Sequence, residues 1–267
     1  MPNTRDDAVE IAVDDQCIAG TLVTPGTLIP GVLFVHGWGG SQQQYVARAR
    51  EVAALGCICL TFDLRGHART VEQQKTVTRE QNLHDVIAAY DALVRQRGVD
   101  RSSIAVVGSS YGGYLAAILS AHRPVRWLVL RVPALYKDSE WKTPKDQLRK
   151  LQQLEAYRRL PVKSDESCAL LACAQFRGDA LVVESERDAI IPAPVLASYR
   201  DALSTAGSLT YRVLSNADHA LTSEADQTAY TTVLVRWLSE MIRGARADAQ
   251  TTSVIAKAQD AEAIALP

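Results

Sequence analysis

Apolar runs bounded by glycine or proline recur along the chain and alternate with stretches of helical spacing. Residues 31–37 (GVLFVHG), 57–63 (CICLTFD), 103–109 (SIAVVGS), 125–132 (VRWLVLRV), 181–185 (LVVES) and 209–214 (LTYRVL) read as strands, the first and third as continuous apolar runs of the kind buried on both faces. Between them, Gln42 to Leu55, Arg79 to Arg97 ending at Gly98, Tyr111 to His122 before Pro124, Pro194 to Leu203 and Glu224 to Arg243 carry helical periodicity. Ahead of this series, residues 9–24 predict two short strands around Asp14-Asp15, with a turn signal at Pro25-Gly26. Strand and helix alternating this regularly imply right-handed crossovers. The expected architecture is α/β, a mostly parallel sheet of about eight strands with an antiparallel N-terminal hairpin and helices on both faces.

The alternation lapses between Val132 and Arg177, which reads as a small insertion within a single domain over 1–245. Inside it, Leu148, Leu151, Leu154 and Tyr157 recur at three-residue steps and predict one amphipathic helix from Pro144 to Leu160, either packed on the body or forming a lid. The charges around it, Lys137, Asp138, Glu140, Lys142, Lys145 and Asp146, read as a solvated face. The tail 246–267 has weak periodicity and no caps, and is expected to be frayed or loosely docked.

Composition narrows the function. With 29 Lys and Arg against 30 Asp and Glu the formal net charge is -1, which gives no general attraction for a phosphate backbone, so nucleic acid is not expected as a partner. The five cysteines, Cys17, Cys57, Cys59, Cys168 and Cys173, are too sparse for a disulfide scaffold and read as reduced thiols; no cofactor or metal is expected, since closed zinc sites need four convergent ligands. The N-terminal MPNTRDDAVE lacks an apolar stretch after a basic start, and no window approaches the ~18 apolar residues of a membrane span, so a cytoplasmic protein is expected.

Gly108-Ser109-Ser110-Tyr111-Gly112 is a G-x-S-x-G between a predicted strand and a predicted helix. Small residues around Ser110 allow a turn so tight that the serine is held in a strained conformation, whereas an inert serine in a glycine-rich turn would leave the pattern without chemistry. A hydroxyl is a weak nucleophile and needs a base and a group that orients it. His219 lies just beyond the last predicted strand; His36 and His67 also follow strands, while His84 and His122 fall in helices. Asp188 lies one loop beyond LVVES, and the order Ser110, Asp188, His219 fits nucleophile, acid and base, with Glu184 and Glu186 as rival acids.

These segments resemble the α/β-hydrolase family over about residues 9–243. His36-Gly37-Trp38-Gly39-Gly40-Ser41 resembles its oxyanion loop, Phe62 to His67 the loop after the next strand, Gly108 to Gly113 the nucleophile elbow, and Asp188 to Pro192 with His219 the acid and base loops. Within the family, GSSYGG and HGWGGS are similar to the dienelactone-hydrolase-like and serine-aminopeptidase-like branches. Ala68 and Glu186 depart from the family pattern, standing where glycines are usual. The resemblance implies a serine hydrolase working through an acyl-enzyme, with the Trp38 and Tyr111 backbone N–H groups as oxyanion donors, and Asp63, Arg65 and His67 as braces between loops. The expected substrate is a small or medium carboxylic ester, with Trp38, Tyr111, Tyr136 and Trp141 at its binding site. Peptide or amide hydrolysis and a non-catalytic binding or sensor module are the alternatives on the same fold. Spacing is silent on oligomeric state.

Overall fold

The computed structural model describes the backbone of residues 4–13, 16–25 and 28–264, with side chains at 21 and 28–245. The first two strands, β1 (Thr4–Val13) and β2 (Gln16–Pro25), pair antiparallel from Thr4↔Pro25 to Val13↔Gln16. The turn residues 14, 15, 26 and 27 lie outside the described residues. Six further strands form the central sheet: β3 (Ile29–Val35), β4 (Ile58–Thr61), β5 (Val99–Ser109), β6 (Trp127–Arg131), β7 (Asp179–Ser185) and β8 (Ser208–Leu214). Their order is β4-β3-β5-β6-β7-β8 and all neighbouring pairs are parallel. The expected eight-stranded sheet is therefore six-stranded, because the hairpin's ladder closes on itself as a separate two-stranded sheet.

Period-two alternation sorts each central strand between two apolar layers. Val32 and Phe34 of β3, Ala105 and Val107 of β5, and Leu181 and Val183 of β7 face one layer; Leu33, Val35, Ile104, Val106, Ala180 and Val182 face the other. The first layer is closed by α1 (Gln43–Ala53) through Tyr45, Ala49 and Val52, and by α8 (Glu224–Ile264) through Tyr230, Leu234, Trp237 and Leu238. The second is closed by α2 (Arg79–Val94), α3 (Tyr111–His122), α6 (Cys168–Gln175) and α7 (Ala193–Ala202). α8 runs on to Ile264, well past the predicted end at Arg243. The expectation of a loose tail rests on side chains outside the described residues. Among the described residues no helix is long and apolar enough to cross a membrane.

The segment 132–177 departs from its reading as a plain insertion. Its last helix, α6, buries Ala169, Leu170 and Cys173 in the layer shared with α3, and so serves as the crossover between β6 and β7. The single helix expected from Pro144 to Leu160 is broken. A 3₁₀ turn at Lys145–Gln147 leads into α4 (Leu148–Leu151), Gln153 adopts a left-handed conformation (φ 48°), and α5 (Leu154–Tyr157) restarts the winding. Strict three-residue spacing suits 3₁₀ turns as well as an α-helix, which is why the pattern misled. Gln152, 1% exposed, exploits the break: its amide accepts from the Lys137 N–H (3.1 Å) and donates to the Lys137 and Ser139 carbonyls (3.1 Å each) and the Glu140 carboxylate (2.9 Å).

α2 carries several residues that later prove to underlie the site, and its start is fixed by a capping box. Thr78 Oγ1 accepts from the Gln81 N–H (3.2 Å), while Gln81 Oε1 accepts from the Thr78 N–H (3.0 Å). Thr78→Ala is expected to cost about 1 kcal/mol, lowering the melting temperature by roughly 2–4 °C in calorimetry. An unchanged melting temperature would show that packing alone holds this end of α2.

Candidate active site

β5 ends at Ser109 and α3 begins at Tyr111, so Ser110 alone makes the turn, at φ 52° and ψ -118°. Such a conformation is costly for a residue with a Cβ and persists only where its surroundings over-determine it. Here they do. The Ser110 N–H donates to the Arg131 carbonyl (2.9 Å), and its carbonyl accepts from the Tyr114 N–H (3.1 Å) and the Ala134 N–H (2.9 Å). The flanking glycines are sterically required: a Cβ on Gly112 would lie 2.2 Å from the Val35 carbonyl oxygen, and one on Gly108 would lie 2.4 Å from that of Gly112. The elbow thus needs both glycines to let β3, β5 and α3 meet.

Ser110, His219 and Asp188 are brought together by loops leaving β5, β8 and β7. Ser110 Oγ is 3.0 Å from His219 Nε2, and His219 Nδ1 is 2.6 Å from Asp188 Oδ2. The other carboxylate oxygen, Oδ1, accepts from the Ile190 (2.7 Å) and Ile191 (2.8 Å) N–H groups, which fixes the carboxylate plane. Burial pushes the Asp188 carboxyl up, but these bonds and the His219 ring more than offset it, and its pKa lies below the ordinary value. Glu186, a rival on sequence, instead accepts from the Asn216 N–H (2.6 Å), bracing the loop that carries His219. Burial raises Glu184, whose neighbouring charges are Arg200 and Asp188.

The loop after β3 lies against the elbow. A Cβ on Gly37 would sit 3.3 Å from the Ser109 carbonyl oxygen and from the Ser110 Cβ, so a side chain there would crowd the elbow. Two neutral imidazoles hold the loop. His36 Nε2 accepts from the Leu64 N–H and His67 Nε2 from the Gly39 N–H, both at 3.0 Å, and burial lowers both histidines. Asp63 accepts from Gln42 through both carboxylate oxygens (2.8 Å each), and Arg65 pairs with Asp85 at 2.5 Å, so the loop after β4 braces its neighbours. Tyr111 opens α3, where the N–H has no intrahelical acceptor. Among the described residues no backbone hydrogen bond engages the Trp38 or Tyr111 N–H.

A cavity of about 680 Å³ opens beside Ser110 and His219, lined by Trp38, Tyr111 and Tyr136 among others. Trp141 does not line it. That ring, expected at the substrate, instead stacks on Tyr114 (6.3 Å between centroids) under the buried Arg79 guanidinium (4.7 Å). Arg79 also donates to the Tyr114 hydroxyl (3.0 Å) and to the carbonyls of Lys137 and Ser139, pinning the start of the 132–177 segment to α2. Tyr111 is held from below by Asn82, whose Oδ1 accepts from the phenol (3.1 Å). Among the described residues no group of three or more His, Cys, Asp or Glu side chains is placed to hold a metal ion.

A model of the prolyl oligopeptidase family matches residues 42–245, a span that contains the elbow, Asp188 and His219. The chain belongs to the prolyl oligopeptidase family. Solved structures similar to this prolyl oligopeptidase family member share its α/β-hydrolase fold. They include a metagenome-derived lipolytic enzyme of the LipS and LipT study (20% identity, TM-score 0.62, covering 79% of this chain and 94% of that one). A dienelactone hydrolase from Anabaena variabilis (19%, TM-score 0.55, 89% and 98%) and a hyperthermophilic esterase from Pyrobaculum calidifontis (21%, TM-score 0.56, 89% and 86%) are also similar. A comparison with curated proteins gave no significant match.

Three residues at the site of this prolyl oligopeptidase family member escaped the sequence reading. Arg131, 6% exposed at the end of β6, donates to the His219 carbonyl (2.9 Å) and anchors that loop; the only signal was a charge closing an apolar run. Lys145, expected on a solvated face, turns inward and lines the cavity, as does the buried Arg158.

Proposed function

We propose that this chain is a serine hydrolase that cleaves carboxylic esters through an acyl-enzyme on Ser110. The observation that carries the reading is the continuous chain from Ser110 Oγ through His219 to the Asp188 carboxylate, at 3.0 and 2.6 Å, starting from a serine in a strained conformation. In this mechanism Ser110 Oγ attacks the acyl carbonyl as His219 Nε2 takes its proton. The Asp188 carboxylate accepts from Nδ1–H, which leaves Nε2 as the acceptor and stabilises the imidazolium. Charge on the carbonyl oxygen is received by the Trp38 and Tyr111 N–H groups, aided by the α3 dipole. The C–O bond to the alcohol breaks as His219 returns the proton to the leaving oxygen. Water, deprotonated by the same nitrogen, then releases the acid and restores Ser110.

Membership of the prolyl oligopeptidase family favours a second reading, hydrolysis of a peptide or amide by the same residues. Labelling with a fluorophosphonate, followed by mapping of the modified peptide, tests the chemistry common to both. The label is expected on Ser110, and its absence there would end both readings in favour of a ligand-binding module. Comparing kcat/KM for p-nitrophenyl esters and aminoacyl p-nitroanilides then separates the two. Esters are expected to be turned over faster, and turnover of the anilides alone would replace the ester reading with the peptidase one.

A further inference from the structure

The cavity beside Ser110 carries an excess of positive charge that ester cleavage alone does not call for. The Lys145 ammonium sits over the rings of Trp38 (4.3 Å), Tyr111 (5.1 Å) and Tyr136 (5.6 Å). Arg158 lies 5.0 Å from the centroid of Tyr136; its Nε donates to the Leu135 carbonyl (3.0 Å), and the residue is 9% exposed. No ion pair among the described residues engages either cation. Of the acids on the cavity wall, Glu155 is taken by Arg149 at 2.5 Å and Asp146 is exposed. Both cations come from the broken segment, Lys145 from the 3₁₀ turn before α4 and Arg158 from the cap of α5, and the Lys145 N–H donates to the Val77 carbonyl (2.8 Å), which ties its turn to the start of α2.

Aromatic faces compensate a buried cation only in part, whereas a carboxylate does so with charge-assisted hydrogen bonds. Burial alone would raise the Tyr136 phenol, yet the charges of Lys145 and Arg158 hold it below its ordinary pKa, so the local field favours negative charge. An uncharged acyl chain seated here would shut water away from both cations and offer nothing in return. We infer that Lys145, Arg158 and the Tyr136 hydroxyl form an anion subsite beside Ser110, and that the substrate carries a free carboxylate in addition to the bond that is cleaved. This deepens the serine-hydrolase reading and rests on it.

Two series of fluorophosphonates of graded chain length, one ending in a carboxylate and the other in a methyl group, test the subsite through the rate at which Ser110 is labelled. At the best length the carboxylate probe is expected to react roughly tenfold faster or more than its neutral partner. Lys145→Met should bring that ratio close to one, and Lys145→Arg should restore most of it, which a merely structural role for Lys145 would not do. Equal or faster labelling by the neutral probe at every length, or an unchanged ratio in Lys145→Met, overturns the subsite while leaving Ser110 as the nucleophile. Labelling by neither series overturns the serine-hydrolase reading itself.

Discussion

Ser110→Ala is expected to lower kcat on p-nitrophenyl esters by about 10⁶-fold and to abolish fluorophosphonate labelling, with little change in the melting temperature. The size of the effect follows from the arrangement: alanine removes the attacking oxygen, and among the described residues the hydroxyl that meets His219 Nε2, at 3.0 Å, is that of Ser110. The fold should survive, because the elbow is held by backbone bonds from Ser110 to Arg131, Tyr114 and Ala134, none of which involves the side chain. Alanine retains the Cβ and meets the same φ of 52°, so the strain in the turn is neither relieved nor increased. Residual activity of about 10³–10⁴-fold over water is compatible with the reading, since oxyanion donors and binding act without the nucleophile. Steady-state kinetics with calorimetry on the same preparation checks both halves. Undiminished turnover would show that the nucleophile lies elsewhere.

The parts of this molecule legible in the sequence are those fixed by short-range physics. Gly108 and Gly112 announce the elbow because main chain passes where their Cβ atoms would be, that of α3 at Gly108 and that of Val35 and His36 at Gly112, a constraint that no other residue type meets. The central sheet is legible because a strand covered on both faces has to be apolar at every position, as residues 32–35 and 104–107 are. What spacing does not encode is how far a pattern extends and where a long side chain turns. The hairpin's separation from the central sheet depends on which edge its strands find. Lys145 has an apolar stem and a charged tip, so it suits a solvated face and an aromatic wall equally well, and its turn is held by a bond from its N–H to the Val77 carbonyl (2.8 Å), far back in the chain. Trp141 is the converse case. It carries the composition of a substrate pocket but is held behind it by Arg79, a partner more than 60 residues earlier in the chain that no local pattern reveals.

Asp188→Asn is expected to reduce kcat by about 10⁴-fold while leaving the shape of the site intact. The size of the loss depends on which end of the new amide faces His219. Asp188 Oδ1 accepts two backbone N–H groups, from Ile190 at 2.7 Å and Ile191 at 2.8 Å, so in the variant that position must be occupied by the amide oxygen. The NH₂ group is then placed where Oδ2 stood, 2.6 Å from His219 Nδ1 in the native site. Being a donor only, it makes Nδ1 the acceptor and moves the imidazole proton to Nε2. That nitrogen now donates to Ser110 Oγ and can no longer remove its proton. The imidazolium that forms during attack also loses its counter-charge. Kinetics at saturating ester reads the loss in kcat, and a melting temperature close to that of the native protein separates it from misfolding. Activity within a few-fold of native would mean that His219 is oriented by another group, and Glu186→Gln, which weakens the brace at Asn216, would be the next variant to measure.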